Sequence, residues 1–311
     1  MPTSPAEVLG GQAAVPPAPR GRRARHRWWV PLGFLLPAAA FYGAFMLFPI
    51  GRAIQISLYD WDGLGVGTFV GLSNYVDVIR EPALRAAFAH ALVLIVFYAV
   101  IPLVIGLVLA ATLHRGNVRG LSFFRTVVFL PQVVAMVVVA VAWRQIYAPD
   151  GYLNQGLEAL GLGALTRPWL GDYTFALPAV GFIGTWVSMG LVTVLLLAGM
   201  AQIPGELYEA ARIDGAGVFR EFFGITLPAV RPQIAVALTL TIIAALKTFD
   251  LVYVTTSGGP GGSTAVPSYE VYRHAFQLGQ VGAAAAIGIT LTVLIFLINL
   301  VVNRLGDRSS S

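Results

Sequence analysis

The sequence predicts an all-α, polytopic membrane protein with about six transmembrane helices. Of its 311 residues, 57% are hydrophobic and only 11% are charged, whereas about a quarter of the residues in a soluble domain are charged. The apolar residues are also grouped into runs of roughly 20 residues or more, the length of a helix that crosses the hydrocarbon core of a bilayer. Cys is absent, so the chain forms no disulfides.

Six apolar runs define the predicted spans. They fall at about 28–50, 89–113, 122–146, 175–200, 232–254 and 281–303. The last run contains Gly282, Ala286 and Gly288, and small residues of this kind let membrane helices approach closely and pack into a bundle. The predicted organisation is therefore a disordered basic tail at 1–27, a transmembrane domain at 28–305 and a short second tail at 306–311.

The distribution of basic residues predicts the orientation of the chain. Thirteen of the 20 Lys and Arg residues lie on the side of the two termini, and five lie on the other side. Since cytoplasmic loops carry the excess of basic residues, both termini and the segment at 201–231 are expected in the cytoplasm. The net charge of +5 does not indicate nucleic-acid binding, because the Arg residues lie at the ends of apolar runs and not in one patch.

The 201–231 segment is too structured for a simple connection between two spans. Pro204 suits the first turn of a helix, and Gly215 is expected to end that helix with a positive φ. The side chains predicted to share one face of the helix are Leu207, Ala210, Ala211 and Asp214, and an aromatic cluster follows at Phe219, Phe222 and Phe223. Two readings are open: a helix that docks against a partner protein, or a helix that lies on the lipid surface.

Three motifs in this segment resemble a known loop. Glu209-Ala210-Ala211, Asp214-Gly215-Ala216 and Ile225-Thr226-Leu227-Pro228 are similar to the EAA loop of permease subunits of bacterial binding-protein-dependent ABC importers. The Asp-Gly-Ala form resembles the branch that imports sugars and related solutes. The resemblance extends along the chain, since Gly151-Tyr152-Leu153-Asn154 is similar to the loop after the family's third span. Phe249-Asp250-Leu251-Val252-Tyr253 with Gly258-Gly259-Pro260 is similar to the fifth-span end of the first permease of such a pair.

The resemblance implies half of a translocation pore for a sugar or related solute, in a multi-pass protein of the bacterial inner membrane. Its implied partners are a second permease subunit, two ATPase subunits, an extracytoplasmic solute-binding protein and membrane lipid, with no nucleic acid. ATP would be bound by the ATPase subunits, so this chain would hold no cofactor. The loop residues implied to couple the pore to the ATPase are Glu209, Ala210, Ala211, Asp214, Gly215, Ala216, Phe219, Leu227 and Pro228. No phosphate-binding motif, catalytic constellation or metal-ligand spacing is visible in the sequence, so no enzymatic activity is expected.

Lys247 and Asp250 are ionisable residues three apart near the end of the fifth predicted span. Charges inside a membrane are costly and usually face a cavity or each other. In one reading they line a solute path together with Tyr253 and with Trp186 of the fourth span. In the other they form a local ion pair at the helix end. The alternative function is an ion-coupled secondary transporter, in which the Lys247/Asp250 pair would be the coupling site. That function leaves the structured 201–231 segment unexplained.

Overall fold

The computed structural model describes residues 29–115 and 120–307. The chain forms two compact units that divide between Pro49 and Ile50. The predicted basic tail at 1–27 lies outside the described residues, and so do residues 308–311 of the predicted second tail. The last helix continues to Asp307, two residues past the expected end of the transmembrane domain.

The described residues are mostly helical. The α-helices are α1 (Trp29–Tyr42), α2 (Phe48–Ile56), α3 (Ser73–Arg80), α4 (Pro82–Ile95), α5 (Ile101–Arg115), α6 (Leu121–Val133), α7 (Met136–Ile146), α8 (Tyr152–Ala159), α9 (Ala176–Met200), α10 (Gly205–Ile213), α11 (Val218–Glu221), α12 (Leu227–Ala229), α13 (Arg231–Leu246), α14 (Asp250–Thr255), α15 (Pro267–Tyr272) and α16 (Val281–Asp307). Five-residue π-helical turns lie at Gly43–Leu47, Val96–Val100, Phe222–Thr226 and Arg273–Gln277, a 3₁₀ turn at Gly163–Leu165, and two short strands at β1 (Tyr59–Asp60) and β2 (Thr68–Phe69).

The predicted all-α, polytopic class is confirmed. Four helical stretches in the described part of the chain are long and apolar enough to cross a membrane: Gly33–Ile56, Pro82–His114, Ala176–Met200 and Val281–Arg304. Two further pairs of helices are joined at a bend, Ser122–Val133 with Met136–Ile146 and Val218–Ala229 with Arg231–Leu246, and the total reaches six when each pair counts as one span. The first pair covers the third predicted span, whereas the second begins in the 201–231 segment and ends within the fifth predicted span.

The third predicted span is not the straight helix that its hydropathy suggested. It divides into α6 and α7, which meet at 96°, because Val134 and Ala135 adopt extended backbone conformations between them. Pro131 lies in the last turn of α6. Proline removes a backbone donor and crowds the preceding turn, so it weakens the helix just before the bend.

The fifth predicted span, 232–254, also differs from expectation. Its main helix, α13, ends at Leu246, and Phe249 leaves helical geometry with φ −132° before α14 begins. Thr248 is buried in this break, and its hydroxyl lies 3.2 Å from the hydroxyl of Tyr98 in the π-helical turn after α4. A polar contact to another helix thus stabilises the interruption. At its other end α13 meets the helical stretch Val218–Ala229 at 66°.

The core of the larger unit is organised around α9, which packs against α5 and α6 and is largely buried. Its glycines permit these contacts. A Cβ atom on Gly184 would collide with the ring of Tyr98, and one on Gly190 would collide with the carbonyl oxygen of Val128. The small residues of the spans therefore act as expected, by allowing close helix approach.

A small β-ribbon precedes α3, and it was not predicted because its strands are only two residues long. Tyr59 pairs with Phe69, and Asp60 pairs with Thr68. The Asp62 carboxylate accepts hydrogen bonds from two backbone N–H groups in the connecting turn, at 2.9 and 3.1 Å. Gly282 donates its N–H to the Trp61 carbonyl at 3.1 Å, and a Cβ atom at Gly282 would collide with the Tyr59 carbonyl oxygen. The ribbon is therefore seated directly on the start of α16.

Candidate functional site

The 201–231 segment folds as two short helical stretches. The helix α10 begins at Gly205, so Pro204 lies just before the helix and not in its first turn. Tyr208 is the residue of α10 that points inward, with 8% of its surface exposed. Its hydroxyl lies 2.9 Å from the hydroxyl of Thr226 in the second stretch, and its ring lies 6.1 Å from the ring of His114 at the end of α5. Tyr208 thus ties the two stretches to each other and to the bundle.

Gly215 ends α10 as the sequence predicts. Its φ is +75°, and it donates its N–H to the Arg212 carbonyl at 3.1 Å, while Ala216 donates to the Ala211 carbonyl at 2.9 Å. These two hydrogen bonds and the left-handed residue between them form a Schellman motif, in which glycine is favoured because it has no Cβ atom. The motif fixes the direction in which the chain leaves α10.

An ion pair closes the turn between the two stretches. The Arg212 Nε donates to Glu221 Oε1 at 3.1 Å, and the Glu221 side chain is 4% exposed whereas that of Arg212 is 62% exposed. A buried carboxylate is costly unless it is paired and hydrogen-bonded. The pair therefore favours the one arrangement of α10 and α11 that brings Arg212 and Glu221 together.

The outer surface of this segment exposes large apolar side chains among charged ones. Phe219 is 80% exposed and Ile213 is 87% exposed, although both lie within a segment whose inner contacts are well formed. Phe222 and Phe223 pack edge to face at 5.2 Å, so Phe219 stands apart from the aromatic cluster in which the sequence placed it. The other large apolar side chains exposed here are Leu207, Val218 and Phe223.

The residues predicted to couple the pore to an ATPase all lie in this segment, at different depths. Those exposed are Glu209, Ala210, Asp214, Gly215 and Phe219, and those half-buried are Ala211, Ala216, Leu227 and Pro228. The residues that sequence reasoning missed are Tyr208, Thr226, Arg212 and Glu221. The only available signal was a tyrosine placed among alanines and acidic residues on a short helix.

Lys247 and Asp250 do not share a helix face. Lys247 caps the end of α13, and Asp250 is the first residue of α14, so the helical spacing assumed for them is interrupted. Both side chains are exposed, and they are not joined by any of the ion pairs found in the described part of the chain. The two residues nevertheless flank the same break in the fifth predicted span.

Tyr253 belongs to an exposed aromatic cluster that also contains Phe249, Tyr272 and Phe276. Its ring stacks on Phe249 at 5.3 Å with 17° between the planes, and it meets Tyr272 edge to face at 5.1 Å. The hydroxyls of Tyr253 and Tyr272 are 3.4 Å apart, and Phe276 extends the cluster with 78% exposure. The cluster presents both ring faces and hydroxyl groups.

Trp186 lies elsewhere, on α9. It is half-buried and meets Trp143 of α7 at 5.6 Å, edge to face. Trp186 and Phe249 both pack against the same buried core cluster, which is the connection between this residue and the aromatic cluster around Tyr253. The structure therefore places the four residues predicted for a solute path in two neighbouring groups.

The described residues contain no group of three or more His, Cys, Asp or Glu side chains that could hold a metal ion. The groups that the structure does expose are large apolar side chains on the 201–231 segment and aromatic rings with hydroxyl groups near the break after α13.

Comparison with known proteins identifies similar chains. Residues 102–311 match the family profile described as "Binding-protein-dependent transport system inner membrane component". The probable ABC transporter permease protein YurN of Bacillus subtilis is 41% identical over 278 residues, which cover 87% of this chain and 94% of that protein. The diacetylchitobiose uptake system permease protein NgcF of Streptomyces coelicolor is 37% identical and covers 91% of this chain and 87% of its own length.

A third relative and a solved structure agree with these matches. The trehalose/maltose transport system permease protein MalF of Thermococcus litoralis is 35% identical, covering 88% of this chain and 93% of that protein. The fold is similar to that of a chain in a bacterial ABC transporter that imports the acidic polysaccharide alginate, with a TM-score of 0.77, 24% identity and coverage of 91% of this chain and 96% of that one.

Proposed function

This chain belongs to the family of inner membrane components of binding-protein-dependent transport systems and is a permease subunit of an ABC importer, and from that membership we propose that its 201–231 segment couples the pore to ATPase subunits. Permeases of this family are membrane components and not enzymes. The chain is a multi-pass protein of the inner membrane. Family membership decides between the two functions that the sequence left open, in favour of the ABC importer permease and against the ion-coupled secondary transporter.

The observation that carries the coupling proposal is the contrast between the two sides of the 201–231 segment. Its inner side is fixed by the Tyr208–Thr226 hydrogen bond and the Arg212–Glu221 ion pair. Its outer side exposes Phe219 and other large apolar side chains. A rigid helix with an exposed apolar surface is the arrangement that fits into a groove of a partner protein. Surface salt bridges alone contribute little, so we expect the apolar contacts to dominate the docking energy.

The proposed solute is a sugar or a sugar-like molecule. The support comes from the names of relatives, which specify diacetylchitobiose, trehalose or maltose, and lactose. The proposed path includes Lys247, Asp250, Tyr253 and Trp186. The aromatic cluster around Tyr253 offers a stacking face together with hydroxyl groups, and such amphipathic rings suit a ligand with both apolar faces and polar edges.

The proposed assembly contains this chain, a second permease subunit, two ATPase subunits that bind ATP, and an extracytoplasmic solute-binding protein. A fold neighbour of this chain has been crystallised as part of an alginate importer together with a pentasaccharide-bound periplasmic protein. Both termini and the 201–231 segment lie in the cytoplasm in this proposal, as the distribution of basic residues indicates. ATP-driven closure of the ATPase pair would then move the segment and switch the pore between two states.

The test is affinity purification of the tagged chain from its native membrane. We expect an ATPase and a second permease in the wild-type preparation, and loss of the ATPase alone in Phe219→Asp, because a carboxylate would replace an apolar docking side chain. The matched control is Leu160→Asp, which changes a 76% exposed side chain in the loop at the opposite end of α9. Full ATPase recovery with Phe219→Asp, or equal loss with Leu160→Asp, would contradict the docking role of the segment.

A further inference from the structure

An apolar cleft lies where the third span ends and the fourth span begins, and it plays no part in the proposed coupling to the ATPase. Its volume is about 670 Å³, and it is formed by α7, the start of α9, the loop between them and Phe97 of the π-helical turn after α4. None of its eleven lining residues is charged. Because α9 runs from this cleft to the 201–231 segment, the cleft lies at the opposite end of the spans from the proposed ATPase contact.

Aromatic side chains form the walls of the cleft. Trp143 of α7 meets Phe182 of α9 edge to face at 6.0 Å, and Trp169 of the loop meets Phe175 in the same way at 6.1 Å. Phe182 is 53% exposed, although it lies about 9 Å along α9 from the first residue of the helix at a rise of 1.5 Å per residue. The cleft is therefore open at Phe182, within a helix that is long and apolar enough to cross a membrane.

The Arg167 side chain lies against two aromatic residues that line this cleft, Phe175 and Trp169. The Arg167 guanidinium carbon is 4.0 Å from the ring centroid of Phe175 and 5.3 Å from that of Trp169. Its Nε donates to the Leu165 carbonyl at 3.1 Å. Its two terminal nitrogens take part in none of the hydrogen bonds or ion pairs recorded for the described residues. The nearest acidic residue along the chain, Asp172, uses one carboxylate oxygen to accept two backbone N–H groups at the start of α9.

The side-chain amide of Asn154 is buried and holds the backbone of Arg167 in place. Asn154 is 3% exposed, and its Nδ2 donates to the carbonyls of Arg167 and Pro149, each at 3.0 Å. Its Oδ1 accepts the Trp169 indole N–H at 2.9 Å and the Arg167 backbone N–H at 3.4 Å. The amide thus fixes the backbone of Arg167 and the ring of Trp169, an aromatic wall of the cleft.

We propose that this cleft is a phospholipid site, with one acyl chain in the cleft and the lipid phosphate on Arg167. A phospholipid carries its phosphate next to its hydrocarbon, and this chain offers a cation that lies on two aromatic rings of an apolar cleft. Arginine is suited to this role because its free N–H groups match the geometry of a phosphate. Tryptophan and tyrosine are the residues that favour this interfacial depth. A protein partner would need a carboxylate to match Arg167, whereas any phospholipid supplies the anion.

The experiment uses the assembled importer in proteoliposomes that contain a phosphatidylglycerol with a photoreactive group in one acyl chain. Labelled peptides are mapped by mass spectrometry, and labelling is competed with unlabelled dioleoylphosphatidylglycerol or with dioleoylglycerol, which lacks the phosphate. We expect labels in 136–147 and 175–182. We also expect Arg167→Gln to raise the phospholipid concentration needed for competition about tenfold, since a hydrogen bond to a charged group contributes roughly that factor, and to leave competition by dioleoylglycerol unchanged.

Two variants sharpen the test. Arg167→Lys retains the charge and should lose less affinity for phosphatidylglycerol than Arg167→Gln. Arg85→Gln removes an exposed arginine near the start of α4 and should change nothing. Three results would overturn the proposal: equal competition by the two unlabelled lipids on the wild type, an equal effect of Arg85→Gln, or labelling that appears only when the second permease is absent. The last result would show that the partner subunit covers the cleft.

Discussion

Replacing Gly215 by valine tests whether the shape of the 201–231 segment transmits force. Gly215 has φ +75°, and no heavy atom lies within 4 Å of a Cβ atom built there. The substitution therefore meets no neighbour, and its whole cost comes from the left-handed backbone. That cost is about 1–2 kcal/mol for an ordinary L-residue, and more is expected for a β-branched one.

A cost of this size lowers the equilibrium constant for forming the capped turn by a factor of roughly 5 to 30. Only the correctly capped turn brings Arg212 to Glu221 and Tyr208 to Thr226, so the docking surface should lose its defined shape. The expected result for Gly215→Val is less solute transported per ATP hydrolysed, with normal amounts of the chain in the membrane. The matched control is Gly215→Asn, because asparagine tolerates the left-handed region, and it should stay near the wild type.

The assay is a reconstituted importer in proteoliposomes with its solute-binding protein, in which transport and ATP hydrolysis are measured together. Recovery of ATPase with the purified permease is measured in parallel, so that loss of assembly is distinguished from loss of coupling. Wild-type stoichiometry in Gly215→Val would refute the reasoning. So would an equal defect in Gly215→Asn, because the backbone argument assigns the two variants different costs.

Three further variants test features outside the segment. Asn154→Leu should lower the melting temperature of the purified complex, since each buried partner left without a hydrogen bond costs about 1–3 kcal/mol; Gln155→Leu, at an exposed position, should not. Gly282→Ala should reduce the folded yield measured by size-exclusion chromatography, because its methyl group would meet the ribbon carbonyl, whereas Gly288→Ala has no heavy atom nearer than 3.8 Å and should be neutral. Backbone hydrogen bonds hold the pKa of the Asp62 carboxyl below its usual 3.8. The amides of the ribbon turn should therefore be protected from hydrogen exchange above pH 3.8 and lose this protection as the pH falls through the lowered pKa. The Asp62→Ala variant should lack this pH dependence.

Local signals made the 201–231 segment predictable in outline. Proline before α10 and glycine after it are conformational signals that need no tertiary information, and the helix does begin and end between them. The contacts that stabilise the segment were not predictable in this way. Tyr208 and Thr226 are 18 residues apart, and Arg212 and Glu221 are 9 apart, so each pair depends on the direction that Gly215 gives to the chain.

Hydropathy located the spans but could not give their shape. Length and apolar composition are the same for a straight helix and for two helices with a bend, so the 96° bend after α6 left no hydropathic signal. The break after Leu246 depends on a contact between Thr248 and Tyr98, 150 residues away in sequence. The ion pair considered for Lys247 and Asp250 assumed a continuous helix, and the break after Leu246 removes the i, i+3 spacing on which that pair depended.

In the coupling proposal, the 66° junction at Val230 acts as the pivot of a lever between the 201–231 segment and α13. The arm Val218–Ala229 has its pivot next to α13 and carries Phe219 near its other end, where Gly217 connects it to the turn after α10. At a helical rise of 1.5 Å per residue the arm is about 18 Å long, so a swing of about 10° about the pivot displaces its tip by roughly 3 Å. Because the arm is covalently continuous with α13, a displacement of a few ångströms applied at its tip becomes a rotation at the foot of a membrane span.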